Sequence, residues 1–379
     1  MKTANGIIER IASEQSRLSG KRFNIAVKNK ITFLLRLRRL IKNDLREKTH
    51  LSLKHSLRAW RHGFMRFHYK TYGLDKSGDP AQYVSDFTFM MNHYKINGRF
   101  DELVRNKYAF GLLMNLQGIP TPKIKGLIIK GTFYPLDEAR TLPASEFLQA
   151  EIIPGEHLAL KPIWGNHGFG FINLARDDAG YRLNNESVSR SLICGMVERL
   201  DHYIVTEFMH QGEFCRRLFA DTSNTIRLVT LWDAETSEAF IARAVMRIGT
   251  SRSFPVDNFK AGHGGLSAMI DPDTGELGPG ATVDATGKSL WYRHHPESHS
   301  PIQGVVVPAW DEVRTRLLEY AGRFAFVPNI GWDILLLDKG FSILEGNSTP
   351  GMQVLQIHGP LLTDPRIKRF YQNFHGQRF

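Results

Sequence analysis

Apolar and polar residues follow a helical spacing in the first quarter of the chain. Between residues 33 and 45, apolar side chains recur every three or four positions, and basic residues stand between them. This period predicts an amphipathic helix. Because residues 51–72 continue the mixture of basic and aromatic residues, we expect a helical, basic N-terminal region over residues 1–100.

Three further segments have the spacing of helices. Residues 101–117 predict one amphipathic helix, which Gly118 and the following prolines end. Residues 188–200 and 309–325 predict two more.

Strand patterns alternate with these helices. They include a strand with a turn at 126–136, two strands around a glycine-rich loop at 157–176, and a hairpin at 332–347. Another strand is predicted at 201–209, and a pair of long strands at 224–233 and 238–249. Residues 250–305 are rich in Gly, Pro, Asp and His, with a turn at 271–277. Since the strands and helices show no regular βαβ rhythm, the pattern indicates an α+β fold with largely antiparallel sheets.

Composition narrows the class of protein. The chain has 379 residues, 42% of them apolar and 23% charged, which favours packed domains over a disordered protein. No apolar run reaches about 18 residues, and the N-terminus lacks the apolar core of a signal peptide. Two separated cysteines, Cys194 and Cys215, exclude a disulfide framework and predict buried free thiols in a reducing cytoplasm.

The positive charge is concentrated at one end. Residues 1–70 hold eighteen Lys and Arg against four Asp and Glu, so they carry +14 whereas the rest of the chain carries −3. Two interpretations stay open. The region is a helical cap whose charge lies in solvent, which we favour, or a docking surface for anionic lipid, a phosphorylated glycan carrier or nucleic acid.

A glycine-rich loop is the first candidate for binding chemistry. Lys161 ends an apolar strand, and Gly165, Gly168 and Gly170 follow before the next strand. Glycines allow backbone amides to approach an anion closely, and the lysine adds a point charge for phosphate. The alternative is a plain hairpin turn beside an exposed lysine.

The C-terminal hairpin supplies the second candidate. If residues 338–340 form its loop, Leu337 pairs with Phe341 and Asp333 lies opposite Glu345, with Asn347 on the same face. Two facing carboxylates repel each other, and a hard cation such as Mg²⁺ removes that conflict. The alternatives are a carboxyl pair that shares one proton or side chains that turn away to solvent.

These spaced residues resemble the ATP-grasp superfamily, which includes D-alanine–D-alanine ligase and glutathione synthetase. The tail Asp333, Glu345 and Asn347 is similar to its metal-binding residues in order and spacing. The segments SNTIRLVTL, VDNFKAGHGGLSAMIDPDTGEL and GWDILLLDKGFSILEGNSTPG, together with Gln353, more narrowly resemble the sugar-transfer-associated ATP-grasp family over about residues 95–363. The resemblance implies an ATP-grasp fold, with a first subdomain over 101–205 and a second over 206–379.

The resemblance also implies a role for each matched residue. It makes Lys107 and Lys161 the lysines that contact ATP, and residues 165–170, with His167 among them, the mobile loop over the phosphates. It makes Glu207, Phe208 and Met209 the linker that reads adenine, and Glu213 a contact for the ribose. Related ligases carry an arginine where this chain has Gly331, so Arg227 or Arg247 is expected to supply that charge instead; the alternative for Arg227 is a strand residue that points to solvent.

The implied reaction is the ATP- and Mg²⁺-dependent joining of a carboxylate to an amine through an acyl phosphate. The product would be an amide on a cell-surface glycan precursor, as in polysaccharide biosynthesis, or on a small metabolite. A small-molecule kinase and a non-catalytic nucleotide-binding subunit are the alternatives. We expect a cytoplasmic protein with small-molecule carboxylate and amine substrates. Residues 1–70 are the candidate contact with an anionic membrane or a lipid-linked glycan, and nucleic acid is the least expected partner.

Overall fold

From residue 22 onward the N-terminal region is helical, as predicted, while residues 1–21 lie outside the described part of the chain. The computed structural model describes residues 22–47, 49–152, 154–165 and 168–375. The first helices are α1 (Arg22–Arg46), α2 (Leu53–Arg61), α3 (Arg66–Thr71) and α4 (Asp86–Ile96), with 3₁₀ turns at Pro80–Gln82 and Gly98–Phe100. Within these described residues, no helix is both long enough and apolar enough to cross a bilayer.

The predicted single helix over residues 101–117 is wrong. Two helices stand there, α5 (Asp101–Arg105) and α6 (Lys107–Leu116), and Asn106 separates them in an extended conformation. The Asn106 side chain accepts hydrogen bonds from the N–H groups of Tyr108 and Ala109. Asparagine competes for local backbone donors in this way, so it breaks one helix and caps the next. Lys107 consequently opens α6.

The first sheet is antiparallel and has eight strands. They are ordered β3-β2-β1-β8-β4-β5-β6-β7. Their bounds are β1 (Ile124–Ile129), β2 (Thr132–Pro135), β3 (Leu142–Pro143), β4 (His157–Pro162), β5 (Ile172–Asp177), β6 (Gly180–Leu183), β7 (Glu186–Val188) and β8 (Tyr203–Glu207). Helices α7 (Ala144–Glu151) and α8 (Arg190–Val197) belong to this half of the chain, and Phe147 and Ile193 share a core with Leu160 and Val205 of the sheet.

The second sheet is also antiparallel and has seven strands, ordered β13-β12-β11-β10-β9-β14-β15. Their bounds are β9 (Thr225–Asp233), β10 (Glu238–Ile248), β11 (Leu266–Ile270), β12 (Leu277–Val283), β13 (Ser289–Tyr292), β14 (Asn329–Leu336) and β15 (Phe341–Asn347). The accompanying helices are α9 (Glu213–Leu218), α10 (Trp310–Arg323), α11 (Met352–Gln356) and α12 (Pro365–His375). Three strands therefore lie in residues 250–305, where glycine and proline obscured the strand pattern. The α+β fold with antiparallel sheets is confirmed.

The two faces of the second sheet differ. Ile226 and Leu228 of β9 point to one face and pack with Leu317 of α10. Val229 and Leu231, on the other face, pack with residues of α12 and of the N-terminal region, including Val84 and Ile96. The N-terminal region is thus packed against the body, and the second face continues into a group of charged residues described below.

The C-terminal hairpin has the predicted carboxylate pair but a different turn. Asp333 lies opposite Glu345, as expected, whereas Leu336, rather than Leu337, pairs with Phe341. A bulge in β15 shifts the register by one residue between Asp333 and Ile334. Because a bulge adds one residue to one strand only, it offsets the one-residue error in the predicted loop.

Both cysteines are free thiols, as predicted, but Cys194 is only half-buried. Cys215 is buried, and burial raises the pKa of its thiol to about 12.

Asn106 yields a test of the break between α5 and α6. Asn106→Ala removes the cap and is expected to lower the free energy of unfolding by about 1 kcal/mol, within a range of about 0.5–2. Chemical denaturation measures this loss, and Asn106→Asp, which keeps the capping oxygen, should lose much less. An equal loss in the two variants would contradict a capping role.

Candidate active site

A cavity of about 430 Å³ is lined by both sheets and by the N-terminal region. It brings together most of the residues that the sequence singled out. Those that line it are Lys107, Lys161, Gly165, Gly168, Glu207, Phe208, Met209, Arg227, Arg247, Asp333, Glu345 and Asn347. Gly170 and Glu213 are not among its lining residues, and His167 lies outside the described part of the chain.

Asp333 is the centre of the charged group. β9 places Arg227 directly opposite it, and both terminal atoms of its carboxylate accept from that guanidinium, Nη2 to Oδ2 at 3.0 Å. Arg247 Nη2 donates to the same Oδ2 at 2.9 Å. Burial alone would raise the pKa of Asp333, but the two arginines outweigh it and lower that pKa. The carboxylate is therefore ionised at neutral pH.

Arg227 does not point to solvent. Its side chain is nearly buried, and Nη1 donates to the carbonyl of Pro350 at 2.5 Å. Pro350 also explains the glycine at position 331, because a Cβ there would lie 2.8 Å from the proline Cβ. An arginine at 331 would not fit, whereas the neighbouring strands supply two guanidinium groups to the same place.

Asp257 is a buried site residue that the sequence analysis did not single out. It accepts hydrogen bonds from the backbone N–H and the hydroxyl of Thr225, and lies 3.3 Å from Arg247 Nη2. Burial raises the pKa of Asp257 more than Arg247 lowers it. Its signal in the sequence was the VDNF segment, in which an acid stands between apolar residues in an irregular stretch.

Two lysines enter the cavity beside Glu345. Lys107 Nζ donates to the carbonyl of Gly165 at 2.8 Å and lies 3.4 Å from Glu345 Oε2. Burial lowers the pKa of Lys161, Glu345 raises it and Lys107 lowers it further, with a net decrease. The described residues give the Lys161 ammonium no hydrogen bond or ion pair. A desolvated cation of this kind favours an anionic ligand.

The glycine-rich loop joins β4 to β5 and reaches the second half of the molecule. Gly168 has φ +63°, and a Cβ there would lie 2.9 Å from Val256, so this position admits no side chain. Phe169 is 86% exposed at the tip, whereas Gly170 packs against Tyr203 behind it. The described loop residues Gly165, Gly168 and Phe169 therefore line the same cavity as the two lysines.

The predicted adenine linker begins at Glu207, the last residue of β8. The Glu207 N–H donates to the Lys123 carbonyl, and the Phe208 N–H donates to the His157 carbonyl. Those two amides are already used by backbone hydrogen bonds, and Phe208 and Met209 follow the end of β8. Glu213 opens α9 outside the cavity, where its N–H donates to Asp338.

The N-terminal region forms one wall of the cavity, which the sequence analysis did not anticipate. Its lining residues are Met65, His68, Asp86, Phe89 and Met90. His68 Nδ1 lies 2.6 Å from Asp86 Oδ1, and Asp86 Oδ2 accepts from the Met65 N–H. Burial lowers the pKa of His68, but Asp86, with Glu47 and Asp44, raises it more. Nε2 is the ring nitrogen that this pair leaves for a ligand.

The predicted metal ligands lie together at the charged end of the cavity. Asp333 and Glu345 are cross-strand partners, and Asn347 Nδ2 faces the Gly331 carbonyl, which leaves Oδ1 as its free acceptor. No cluster of three His, Cys, Asp or Glu side chains occurs among the described residues. Two carboxylates and an amide oxygen nevertheless fit Mg²⁺, which takes few protein ligands and completes its shell with phosphate and water.

The two carboxylates should differ in what they do for folding. Asp333→Asn leaves two guanidinium groups near a neutral amide, so we expect a loss of about 3–5 kcal/mol in the free energy of unfolding. Glu345→Gln should cost less than about 1 kcal/mol, because Glu345 is partly exposed. Urea denaturation of both variants measures the difference, and equal losses would contradict the role assigned to Asp333.

Solved structures offer distant likenesses. The ATP-grasp ligase PsnB, in complex with a precursor variant, Mg and ADP, is 15% identical with a TM-score of 0.36, over 72% of this chain and 62% of that one. D-alanine–D-alanine ligase from Bacillus anthracis is 13% identical with a TM-score of 0.32, over 66% and 58%. The chain thus spans less than two thirds of the length of either structure.

The family comparison is more extensive. A search of curated proteins finds no match. The model of the sugar-transfer-associated ATP-grasp family matches residues 86–370, which include every described residue of the charged group and all of both sheets. The chain belongs to the sugar-transfer-associated ATP-grasp family.

Proposed function

We propose that this protein is an ATP-dependent ligase that joins a carboxylate to an amine. The observation that carries the proposal is the meeting, in one cavity, of two lysines, two arginines and the Asp333–Glu345 pair. Such a set suits phosphoryl transfer, in which the protein positions the groups and stabilises their charge. Family membership supports the same conclusion.

ATP would lie along the border of the first sheet. Lys161, which has no anionic partner at hydrogen-bond distance among the described residues, and Lys107 would contact the phosphates. The loop at 165–170 would cover them, and the Glu207–Met209 linker would contact adenine. Asp333, Glu345 and Asn347 would hold Mg²⁺, which supplies neutralisation of the phosphate charge when bound.

The first step would activate the carboxylate. One of its oxygens attacks the γ-phosphorus of ATP, and the bond between that phosphorus and the oxygen bridging to the β-phosphate breaks. ADP departs, and the carboxylate has become an acyl phosphate. An amine then attacks the acyl carbon, phosphate departs, and the nitrogen gives up a proton. Arg227 and Arg247 would stabilise the negative charge of the transferred group, since both guanidinium groups lie at the charged end of the cavity.

The wall formed by the N-terminal region would bind the substrate that is not ATP. Met65, Phe89 and Met90 supply apolar surface there. His68 supplies its Nε2 atom, because Asp86 holds the imidazole ring through Nδ1. A histidine held in this way can accept the proton that the attacking amine releases. A glycan precursor is the substrate class that we favour, because the family is described as associated with sugar transfer; a small metabolite is the alternative.

Nucleotide binding tests the phosphate and metal sites. Lys161→Ala should weaken binding of Mg²⁺ and ATP by about 1.5–3 kcal/mol, the value of a charge-assisted hydrogen bond. Glu345→Gln should weaken it in Mg²⁺ but much less in EDTA. Isothermal titration calorimetry measures both.

Lys339→Ala is the matched control, since Lys339 is an exposed lysine in the turn of the C-terminal hairpin. Unchanged affinity in Lys161→Ala, together with unchanged affinity in Glu345→Gln, would exclude this cavity as the nucleotide site.

Product analysis tests the reaction class. We expect ADP and phosphate to form together with an amide when ATP, Mg²⁺, a carboxylate and an amine are all present. Mass spectrometry of mixtures of uronic acids, amino acids and amines identifies the product. A phosphorylated hydroxyl compound would establish a kinase, and nucleotide binding without turnover of any mixture would favour a non-catalytic subunit.

A further inference from the structure

Two helices of the N-terminal region expose apolar side chains at helical spacing. In α2, Leu53, Leu57 and Trp60 stand at positions i, i+4 and i+7, and are 46–73% exposed. In α1, Leu34, Ile41 and Leu45 form a similar stripe with 51–65% exposure. Single exposed leucines are ordinary, but two regular stripes of them indicate a surface that meets a partner.

The exposed stripe of α1 is not the one that packs on the protein. Leu40 and Asp44, on another side of the helix, are buried, and Arg36 lies 4.0 Å from the ring centre of Tyr94 in α4. Asp44 accepts hydrogen bonds from the indole of Trp60 and from the Arg66 side chain and backbone. This buried carboxylate joins the end of α1 to Trp60, which belongs to the exposed stripe of α2.

Both helices also expose cations. The exposed basic residues of this surface are Arg38, Arg39, Lys42, Arg46, Lys54, Arg58 and Arg61. Among the described residues between 34 and 62, Glu47 is the only exposed acid, because Asp44 is buried and hydrogen-bonded. We call these exposed apolar and basic residues of α1 and α2 the basic-apolar surface.

We propose that the basic-apolar surface binds an anionic membrane, with α1 and α2 lying in the plane of the interface. Leucine and tryptophan side chains would enter the boundary between head groups and acyl chains, while lysine and arginine would contact anionic head groups. A second copy of the chain would bring two sets of cations together. Nucleic acid would make little use of aliphatic side chains, since its bases stack on aromatic ones.

The surface is close to the cavity along the chain. α3 begins at Arg66, five residues after α2 ends, and Met65 and His68 line the cavity wall assigned above to the second substrate. Binding through α1 and α2 would therefore hold that wall near the lipid interface. An enzyme that uses ATP would meet the anionic cytoplasmic leaflet, and a membrane-borne substrate could reach the wall from there.

Vesicle flotation of the full chain tests the proposal without any substrate or nucleotide, so its outcome is independent of the ligase assignment. We expect the protein to float with vesicles of phosphatidylcholine and phosphatidylglycerol, and not with phosphatidylcholine alone. Because head-group attraction is screened, the bound fraction should fall as salt rises. No flotation with the anionic vesicles, or equal flotation with both kinds, would overturn the proposal.

Substitutions on the basic-apolar surface separate the contribution of its cations from that of its apolar side chains. The triple variant Arg38→Gln, Arg39→Gln and Lys42→Gln should lower partitioning by about fivefold for each cation that contacts the membrane. The double variant Leu53→Ser and Leu57→Ser should lower it by about tenfold or more. Leu116→Ser with Leu192→Ser is the matched control, because both leucines are exposed elsewhere on the molecule, and it should bind as the wild type does.

Each variant is expected to fold, because the replaced side chains are exposed, and thermal melting checks this. Binding by the surface variants equal to that of the control would overturn the proposal. A dimer that only the Leu53/Leu57 variant loses, without vesicle binding, would assign the surface to a second copy. Salt-sensitive retention of nucleic acid without vesicle binding would assign it to nucleic acid.

Discussion

The pairing of Asp333 with two arginines is the interaction on which the charged end of the cavity depends. A buried carboxylate is costly unless it is paired with a cation. Arg227 of β9 and Arg247 of β10 reach Asp333 from the side of β14 opposite to β15. The same contacts hold both guanidinium groups in place, and Asp257 and Thr225 fix Arg247 from behind. The charge arrangement is thus largely complete before any nucleotide or metal arrives.

The position of Glu345 follows from the same hairpin. It is the cross-strand partner of Asp333, yet it is partly exposed and lies beside Lys107 rather than an arginine. Asp333 is therefore already paired with two arginines before a metal ion binds, whereas Glu345 has a single lysine partner that a metal ion could replace at smaller cost. A carboxylate that is fixed and another that can be released suit a metal ion that enters together with a phosphate ligand.

The N-terminal region connects the cavity with a second surface. Its core side packs on the second sheet, one of its edges lines the cavity with His68 and Asp86, and its outer side exposes the basic-apolar surface. The favoured interpretation of this region as a cap and its interpretation as a docking surface are compatible, because they concern different sides of α1 and α2. The exposed basic residues of α1 and α2 in the described part of the chain belong to this outer side.

The sequence by itself determined the elements and the chemical types of the site. Helical and alternating spacing placed most helices and strands, and a hairpin with carboxylates in its strands put Asp333 opposite Glu345. The spacing did not reveal that the Asn106 side chain competes for backbone N–H groups and breaks a helix whose apolar spacing is continuous. Distant contacts decided the rest: no spacing shows that Asp257 reaches Arg247, or that His68 lines the same cavity as Lys161. Periodicity reports the neighbours of a residue within an element, whereas burial and charge pairing between elements are fixed only when the sheets and the N-terminal region pack together.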